Sequence, residues 1–204
     1  METGPVCRRQ SARSRRRTAA SSVARYLKKG ALDGKLSLKY LDQSGFSLML
    51  SVVSTWFKRG SGQQFRIPTR WGSQGRLNLI GTYTLHGTHP HLAVRALEGS
   101  CTQTQVIAYL DTLAEQCEPS RLTVIVLDNA TFHRGKAIQE KQLAWEAQGL
   151  YLRYLPPYAP FLNLIEGVWK QLKGFLMPRR AYNSLAELET ALKLALNAFG
   201  AEFI

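Results

Sequence analysis

An unbroken apolar run from Thr123 to Leu127 constrains the fold of this chain more than any other stretch of the sequence. A strand without polar alternation must be covered on both faces, as the central strands of α/β sheets are. The run stops at Asp128-Asn129. An acid at the end of a buried strand is unfavourable unless a cation lies close to it. The sequence therefore predicts a central strand that carries a carboxylate to the edge of the core.

The elements around this strand predict an α/β fold with a mixed sheet. Four strand-like runs precede the first helix, which is typical of an antiparallel meander. These runs are residues 36–41, 46–55, 76–85 and 91–97. Helix, strand, helix, strand and helix follow, beginning with an amphipathic helix predicted from Thr102 to Cys117. Ser184 and Glu187 form a capping box that predicts a last helix. This order fits a ribonuclease H-like fold, for which we expect a mixed five-stranded sheet flanked by helices.

Two further acids occupy places similar to that of Asp128. Asp42 follows the strand-like run 36–41, and Glu166 lies on the helix that Pro160 begins. Taken singly, a strand-end aspartate is commonly a turn former, and a helical glutamate is commonly solvated. If the strands that end at Asp42 and Asp128 are neighbours, their carboxylates lie close together. Bound cations then favour the ionised state of both.

Three blocks around these acids resemble the catalytic blocks of the DDE transposases, in particular the bacterial insertion-sequence branch of the mariner-like superfamily. The blocks are Leu41-Asp42-Gln43-Ser44-Gly45-Phe46, then Leu127-Asp128-Asn129-Ala130-Thr131-Phe132-His133, and then Leu155-Pro156-Pro157-Tyr158-Ala159-Pro160 with Asn163, Glu166, Trp169 and Lys173. The resemblance extends from Leu32 to Phe199, which is nearly all of the chain beyond its basic head.

The resemblance implies a metal-dependent transposase that cuts DNA at transposon ends and joins the freed 3′-hydroxyl to target DNA. Asp42, Asp128 and Glu166 are then the catalytic acids and the ligands of two Mg²⁺ or Mn²⁺ ions, which bind through oxygen. The supporting residues expected at this site are Asn129, His133 and Asn163. His133 either contacts phosphate or water there, or caps a helix start. Relatives that act as dimers on paired ends imply a homodimer.

The charge distribution predicts a polyanionic partner, and the resemblance implies that this partner is DNA and that there is no small-molecule substrate. The formal net charge is +13. Residues 1–30 contribute +8, from nine Lys/Arg and one acid, and residues 31–204 contribute +5, from eighteen Lys/Arg and thirteen acids. Such an excess of cations attracts a polyanion. The side chains that we expect to contact DNA phosphates are Lys58, Arg59, Arg70, Lys170 and Lys173.

Residues 1–34 predict a basic, disordered N-terminal arm ahead of a catalytic domain at 35–204, because they combine many charges with few large apolar residues. Residues 23–27 predict at most a turn of helix. Mariner-like transposases carry helix-turn-helix modules ahead of the catalytic domain, and no such pair of amphipathic helices is found in this sequence. A truncated copy is therefore one hypothesis for this chain.

Cysteine usage and hydropathy exclude several protein classes. Cys7, Cys101 and Cys117 are odd in number and form no Cys-x-x-Cys pair, so neither a disulfide framework nor a zinc site is indicated. No apolar run approaches the length of a membrane span, and the N-terminus lacks the apolar core of a secretion signal. These features predict a cytosolic protein without a membrane partner, and the resemblance implies the bacterial cytosol or nucleoid.

Two alternatives to a transposase stay open at the level of sequence. One is a nuclease of the same fold, such as a ribonuclease H or a junction resolvase, which lacks the Pro-Pro-Tyr-x-Pro block and the Asn and Glu of the following helix. The other is an inactive transposase fragment that binds DNA or associates with complete copies of itself. A strand-transfer assay separates the first alternative from a transposase, because a simple nuclease makes no joined product.

Overall fold

The computed structural model describes residues 22–49, 75–85, 90–130, 133–156, 160–178 and 180–204. The strands are β1 (Leu36–Ser47), β2 (Arg76–Leu85), β3 (His91–Leu97), β4 (Leu122–Leu127), β5 (Leu150–Tyr154) and β6 (Glu202–Phe203). The α-helices are α1 (22–32), α2 (Gln103–Glu115), α3 (Lys136–Ala147), α4 (Leu164–Gln171) and α5 (Leu185–Phe199). A 3₁₀ turn, Pro160–Leu162, precedes α4, and a π-helical turn, Leu172–Leu176, follows it.

The strands form one mixed six-stranded sheet in the order β5-β4-β1-β2-β3-β6. β1 pairs in antiparallel fashion with β2 and in parallel fashion with β4. β4 pairs in parallel with β5 on its other side. The unbroken apolar run predicted as a central strand is β4, whose residues Thr123 to Leu127 are all buried. The predicted α/β class with a mixed sheet and flanking helices is confirmed.

The sheet differs from the predicted five-stranded one in two ways. The runs predicted as separate strands at 36–41 and from Phe46 onward belong to one strand, because β1 keeps its pairing with β2 through Gly45 up to Ser47. Residues 50–55 of the predicted second strand lie outside the described residues. β6 was not predicted, since it has only two exposed residues and forms by pairing with β3.

Each face of the sheet packs against its own group of helices. On one face Leu38 and Tyr40 of β1 share a hydrophobic cluster with side chains of α1, α4 and α5. On the opposite face Leu41 shares a second cluster with side chains of α2 and α3. Burial of each large aliphatic or aromatic side chain contributes about 1.5–3 kcal/mol. These two clusters therefore fix how β1 and β4 stand between the helices.

The helix ends follow the signals in the sequence. Thr102 caps α2 and forms a capping box with Gln105, so the helix predicted from Thr102 to Cys117 is present and two residues shorter at its C-terminal end. The Ser184 side chain accepts a hydrogen bond from the backbone N–H of Glu187 at the start of α5. Gly200 ends α5 with φ +77°, the left-handed conformation that favours glycine.

Helix α1 covers residues 22–32 and is longer than the single turn predicted at 23–27. Its Ala31 is fully buried, and Leu27 packs against the cluster that holds α4 and α5. This part of the predicted arm is therefore helical. Residues 1–21 lie outside the described residues, and the division of the chain at 34/35 stays a prediction. No helix in the described ranges is long and apolar enough to cross a membrane.

Candidate active site

Asp42 lies within β1 and not at a strand end, which corrects the sequence prediction. β1 continues past it because the antiparallel pairing with β2 continues, with Asp42 opposite Gly81. On the other side of β1, the partner strand β4 stops. The parallel register pairs Tyr40 with Val126, so Asp42 comes beside Asp128 two residues further on. The two aspartates are neighbours as predicted, although only one of the two strands ends there.

Strand alternation directs both aspartates to the same face of the sheet. Asp42 and Asp128 have the parity of Tyr40 and Val126, and both of those side chains pack into the cluster that includes α4. Glu166 lies in the first turn of α4. Three separate segments of the chain therefore bring an acid to one face at the carboxyl end of β4.

The electrostatics of Asp42 reflect this gathering of acids. Burial, and after it the negative charges of Asp128 and Glu166, raise the pKa of Asp42 to about 6 against the lowering effects of a backbone hydrogen bond at Gln43 and of His133. Like charges oppose each other's ionisation when they lie close together in a site of low dielectric constant. A cation bound among the three carboxylates would relieve that repulsion.

Asp128 has the opposite electrostatic setting. Its side chain is 52% exposed, and its Oδ1 accepts hydrogen bonds from His133 Nδ1 at 2.7 Å and from the backbone N–H of Ala130 at 3.0 Å. The bond from His133 is the main cause that lowers the pKa of Asp128. Asp128 is therefore the readily ionised member of the pair, and Asp42 is the member whose charge is costly.

The N-terminus of α4 is tied to the sheet beside Asp42. Asn163 is the N-cap residue of α4, and its side-chain Nδ2 donates to the carbonyl oxygen of Leu41 at 3.3 Å. The carbonyl oxygen of Asn163 accepts from the backbone N–H of Glu166 at 3.2 Å. Asn163 thus joins the backbone immediately before Asp42 to the turn that holds Glu166. Its role as a supporting residue of the site stays a prediction.

Close packing brings α4 onto the sheet at the same level. Trp169 packs edge-on against Phe46, with ring centroids 6.4 Å apart. Gly81 makes room for the indole, because a Cβ added there would lie 3.0 Å from Trp169 Cη2 and 3.0 Å from the carbonyl oxygen of Ala93. Since Gly81 is the β2 partner of Asp42, the absence of a side chain there lets α4 approach the strand that carries Asp42.

Asn129, another predicted supporting residue, joins the ends of two parallel strands. Its Nδ2 donates to the carbonyl oxygen of Leu155, which follows β5. Its Oδ1 is buried and has no hydrogen-bond partner within the described residues, as is also true of Oδ1 of Asn163. An unsatisfied buried acceptor costs about 1–3 kcal/mol. Two such unsatisfied acceptors therefore lie in residues next to the acids: Asn129 follows Asp128, and Asn163 begins the helix that carries Glu166.

The chemical nature of the three acidic side chains suits a hard divalent cation. Asp42, Asp128 and Glu166 offer carboxylate oxygens, which Mg²⁺ and Mn²⁺ accept, and the raised pKa of Asp42 indicates a place where positive charge is favourable. Within the described ranges, however, no group of three or more His, Cys, Asp and Glu side chains is close enough together to hold a metal ion. The three acids therefore lie on one face of the sheet, but their side chains are too far apart in this structure to bind one metal ion together.

The predicted DNA-contacting cations divide into three groups. Lys173 lies in the π-helical turn, with its Nζ 5.0 Å from the centroid of the Phe46 ring, and burial together with nearby Arg76 lowers its pKa while Asp42 opposes that effect. Lys170 is exposed on α4. The predicted cations outside the described residues are Lys58, Arg59 and Arg70. Lys173 is thus a predicted DNA-contacting cation whose pKa is affected by the charge of Asp42.

Two residues that were not among the predicted site residues lie beside the site. Gln43 contacts His133, with their Nε2 atoms 2.9 Å apart. Arg76 lies over Gly45, where an added Cβ would come within 1.8 Å of the arginine Nε. Strand alternation gives a signal for Gln43, because the residue after Asp42 must face the opposite side of the sheet. The position of Arg76 follows from the β1–β2 register, which the sequence does not specify.

Comparison with solved structures identifies similar folds. A Mos1 transposase paired-end complex with the left transposon end aligns with 92% of this chain and 54% of its own, at a TM-score of 0.57 and 16% identity. A pre-cleavage Mos1 transpososome aligns with 93% and 55%, at a TM-score of 0.57 and 13% identity. A Mos1 mariner paired-end complex with Mn aligns with 90% of this chain and 54% of its own, at a TM-score of 0.57 and 16% identity. This chain spans about half the length of the chains that it matches.

At these identities the likeness shows the fold alone, and it confirms the predicted ribonuclease H-like architecture. No curated protein matches the sequence. The family model described as "DDE superfamily endonuclease" matches residues 37–189, a span that covers three quarters of the chain and contains Asp42, Asp128 and Glu166. The chain therefore belongs to the DDE superfamily endonucleases.

Proposed function

We propose that this chain is the catalytic domain of a DDE transposase and that Asp42, Asp128 and Glu166 hold two divalent cations, Mg²⁺ or Mn²⁺. The observation that carries the proposal is the convergence of these acids on one face at the carboxyl end of β4. Its electrostatic signature is the pKa of Asp42, raised to about 6 by burial and by the other two carboxylates. Such a cluster favours bound positive charge.

The proposed reaction is phosphoryl transfer on DNA. An attacking hydroxyl oxygen, from water or from a DNA 3′ end, forms a bond to phosphorus while the opposite ester oxygen leaves. A bound pair of divalent ions supplies Lewis acidity at the attacking and leaving oxygens. The chain's own residues hold the geometry: His133 and Ala130 orient Asp128, and Asn163 ties α4, which carries Glu166, to β1.

Positive side chains around the acids are proposed to bind the DNA backbone. Lys173 is the best placed of the described cations, because its pKa responds to the charge of Asp42. Lys170 lies on the same helical segment, and Lys58, Arg59 and Arg70 extend the proposal along the sequence. The net charge of +13 supplies the general attraction to a polyanion. Because two transposon ends must be joined as a pair, we propose that the chain acts as a homodimer.

Nicking of supercoiled plasmid tests the assignment of the three acids. We expect wild type to nick the plasmid with Mg²⁺ or Mn²⁺ and not with EDTA. Asp42→Asn, Asp128→Asn and Glu166→Gln should each lose the activity by a factor of at least about 100, as expected for groups that act in the transition state. Glu115→Gln is the matched control, since Glu115 is an exposed acid at the end of α2. Wild-type nicking by Asp128→Asn would exclude the proposed site.

A second candidate is a fragment that binds DNA or associates with itself without cutting. It is favoured by the absence, in the described part of the chain, of three metal-ligating side chains already within reach of one ion. Plasmid retardation without nicking in either metal would support this candidate. Incubation with labelled linear DNA and a plasmid target separates a transposase from a simple nuclease, because only strand transfer covalently joins the label to the plasmid.

A further inference from the structure

His133 is held between Gln43 and Asp128 and has no exposed surface. Its Nδ1 lies 2.7 Å from Asp128 Oδ1, and its Nε2 lies 2.9 Å from Gln43 Nε2. Both ring nitrogens are therefore engaged by protein groups. A phosphate on DNA needs an accessible donor, so the buried imidazole is unsuited to the phosphate contact that the sequence suggested for it.

The orientation of the Gln43 amide, which presents its nitrogen to His133, sets the direction of these hydrogen bonds. The amide nitrogen of Gln43 can only donate, so Nε2 of His133 accepts from it. The imidazole proton then resides on Nδ1, which donates to the carboxylate of Asp128. The result is a donor chain from Gln43 through His133 to Asp128. This series of hydrogen bonds ends at one acid of the site, Asp128, and begins at Gln43, the residue that follows Asp42.

The backbone around His133 is held as firmly as its ring. The hydroxyl of Tyr154 donates to the carbonyl oxygen of His133 at 2.6 Å, and the N–H of His133 donates to the carbonyl oxygen of Ala130 at 2.9 Å. The N–H of Ala130 in turn donates to Asp128 Oδ1. Ala130 and His133, which both donate to the Asp128 carboxylate, are thus also hydrogen-bonded to each other through the backbone.

These contacts favour one rotamer of the Asp128 side chain. In the described part of the chain, the side-chain hydrogen bonds of Asp128 both go to Oδ1, which leaves Oδ2 turned away from them. A half-exposed aspartate without such bonds would sample several rotamers, and only some of them would present an oxygen to a cation shared with Asp42. Fixing the carboxylate before a ligand arrives removes that ordering cost from binding.

We infer that His133 is the positioning residue for the Asp128 carboxylate and that Gln43 holds His133 in the tautomer that this task requires. The expected effect on metal binding rests on the proposed function. The contact between His133 and Asp128 rests only on the geometry of the protein without metal. Substitution of a residue that hydrogen-bonds to a metal ligand, without binding the metal itself, typically lowers metal affinity by about 10–100-fold. We therefore expect a loss of that size when the donor to Asp128 is removed.

Two substitutions of His133 separate its two ring nitrogens. From a common Cβ, the amide nitrogen of asparagine reaches the position of Nδ1, whereas that of glutamine reaches the position of Nε2. His133→Asn keeps the donor to Asp128, and His133→Gln removes it while keeping a polar group near Gln43. Gln43→Met removes the donor to His133 at a similar volume on a partly exposed strand position. His91→Gln is the control, because His91 pairs with Glu202 at the far edge of the sheet.

The first measurement is the dissociation constant of Mn²⁺ alone, from the electron paramagnetic resonance signal of the free ion. His133→Gln should weaken binding by about 10–100-fold and Gln43→Met by about tenfold, in the range typical of such partners. His133→Asn should stay close to wild type, and His91→Gln should be unchanged. Equal losses in the asparagine and glutamine variants, or no loss in either, would overturn the positioning role. Circular dichroism checks that each variant is folded.

The second measurement needs neither metal nor activity. The ¹⁵N spectrum of labelled histidine in the apo protein should show His133 with its proton on Nδ1, and Gln43→Met should shift it toward a mixture of tautomers. A proton on Nε2 in the wild type would refute the inference even if Mn²⁺ bound well. If the Nδ1 proton were found but the wild type bound no Mn²⁺, the proposed function would fail and the contact between His133 and Asp128 would stand.

Discussion

Asp42→Asn is expected to stabilise the fold at neutral pH, because Asp42 is an acid held where its charge is unfavourable. Burial and the charges of Asp128 and Glu166 raise its pKa from 3.8 to about 6. A raised pKa in the folded state means that folding favours the protonated form. The stabilising contribution is fully present below pH 3.8 and is lost as the pH rises through 6. At pH 7.5 the ionised carboxylate is therefore a net cost to the fold.

The size of that cost follows from the shift. The difference between 3.8 and about 6 is about two units, and each unit corresponds to about 1.4 kcal/mol, which gives ~3 kcal/mol as an upper limit. Asparagine has nearly the same shape and carries no charge. Asp42→Asn should therefore increase the free energy of unfolding by up to ~3 kcal/mol at pH 7.5. The gain should shrink as the pH falls from 6 toward 3.8.

Urea denaturation in EDTA measures the difference between wild type and Asp42→Asn at a series of pH values. Other titrating groups largely cancel in that difference, so its pH dependence reports Asp42. Adding Mg²⁺ should stabilise the wild type by RT ln(1 + [Mg²⁺]/Kd), about 2.7 kcal/mol at 100 times Kd, and should have a smaller effect on the variant. A variant less stable than wild type at pH 7.5 in EDTA, or a difference that does not change with pH, would refute the reasoning.

Two further predictions concern packing and DNA binding. Gly81→Ala should lower the free energy of unfolding by about 1–3 kcal/mol, because the added methyl group meets Trp169 and the carbonyl oxygen of Ala93. Its matched control is Gly167→Ala on α4, where an added Cβ meets nothing within 4 Å and the higher helix propensity of alanine should stabilise the fold by up to about 1 kcal/mol. Thermal unfolding measures both, and equal losses in the two variants would contradict the packing described for Trp169. Lys173→Met should reduce the slope of log Kobs against log salt concentration for duplex DNA by about 0.9, the value for one phosphate contact, whereas Lys193→Met, at an exposed position of α5, should leave the slope unchanged. Fluorescence anisotropy measures the slope, and identical slopes for wild type and Lys173→Met would exclude Lys173 from the DNA surface.

Much of the fold could be read from local patterns in the sequence. The apolar run of β4 indicated burial on both faces, and the caps at Thr102, Ser184 and Gly200 marked helix ends by the backbone groups that they satisfy. These signals depend on residues close in sequence. The continuity of β1 through Gly45 could not be read in this way, because it depends on hydrogen bonds to β2, which begins about thirty residues later.

For the candidate site too, local sequence patterns identified some residues, whereas contacts between distant residues could not be predicted. The three acids stood out because each lies beside an apolar run of the sequence within a family-like block, although Asp42 lies within its strand and not at the strand end. What holds them in place depends on contacts across the fold, such as Asn163 to Leu41 and Gln43 to His133. These pairs are separated by 122 and 90 residues. Residue types alone suggested His133 as a ligand-contacting group, and only its complete burial indicates the different role.

Anomalous X-ray diffraction from crystals of the protein soaked in Mn²⁺ tests the central claim most directly, since it locates the ions independently of any activity. We expect two Mn²⁺ ions about 3.5–4 Å apart, bound by carboxylate oxygens of Asp42, Asp128 and Glu166. Peaks elsewhere on the protein, or no peak among these three side chains at saturating Mn²⁺, would contradict it.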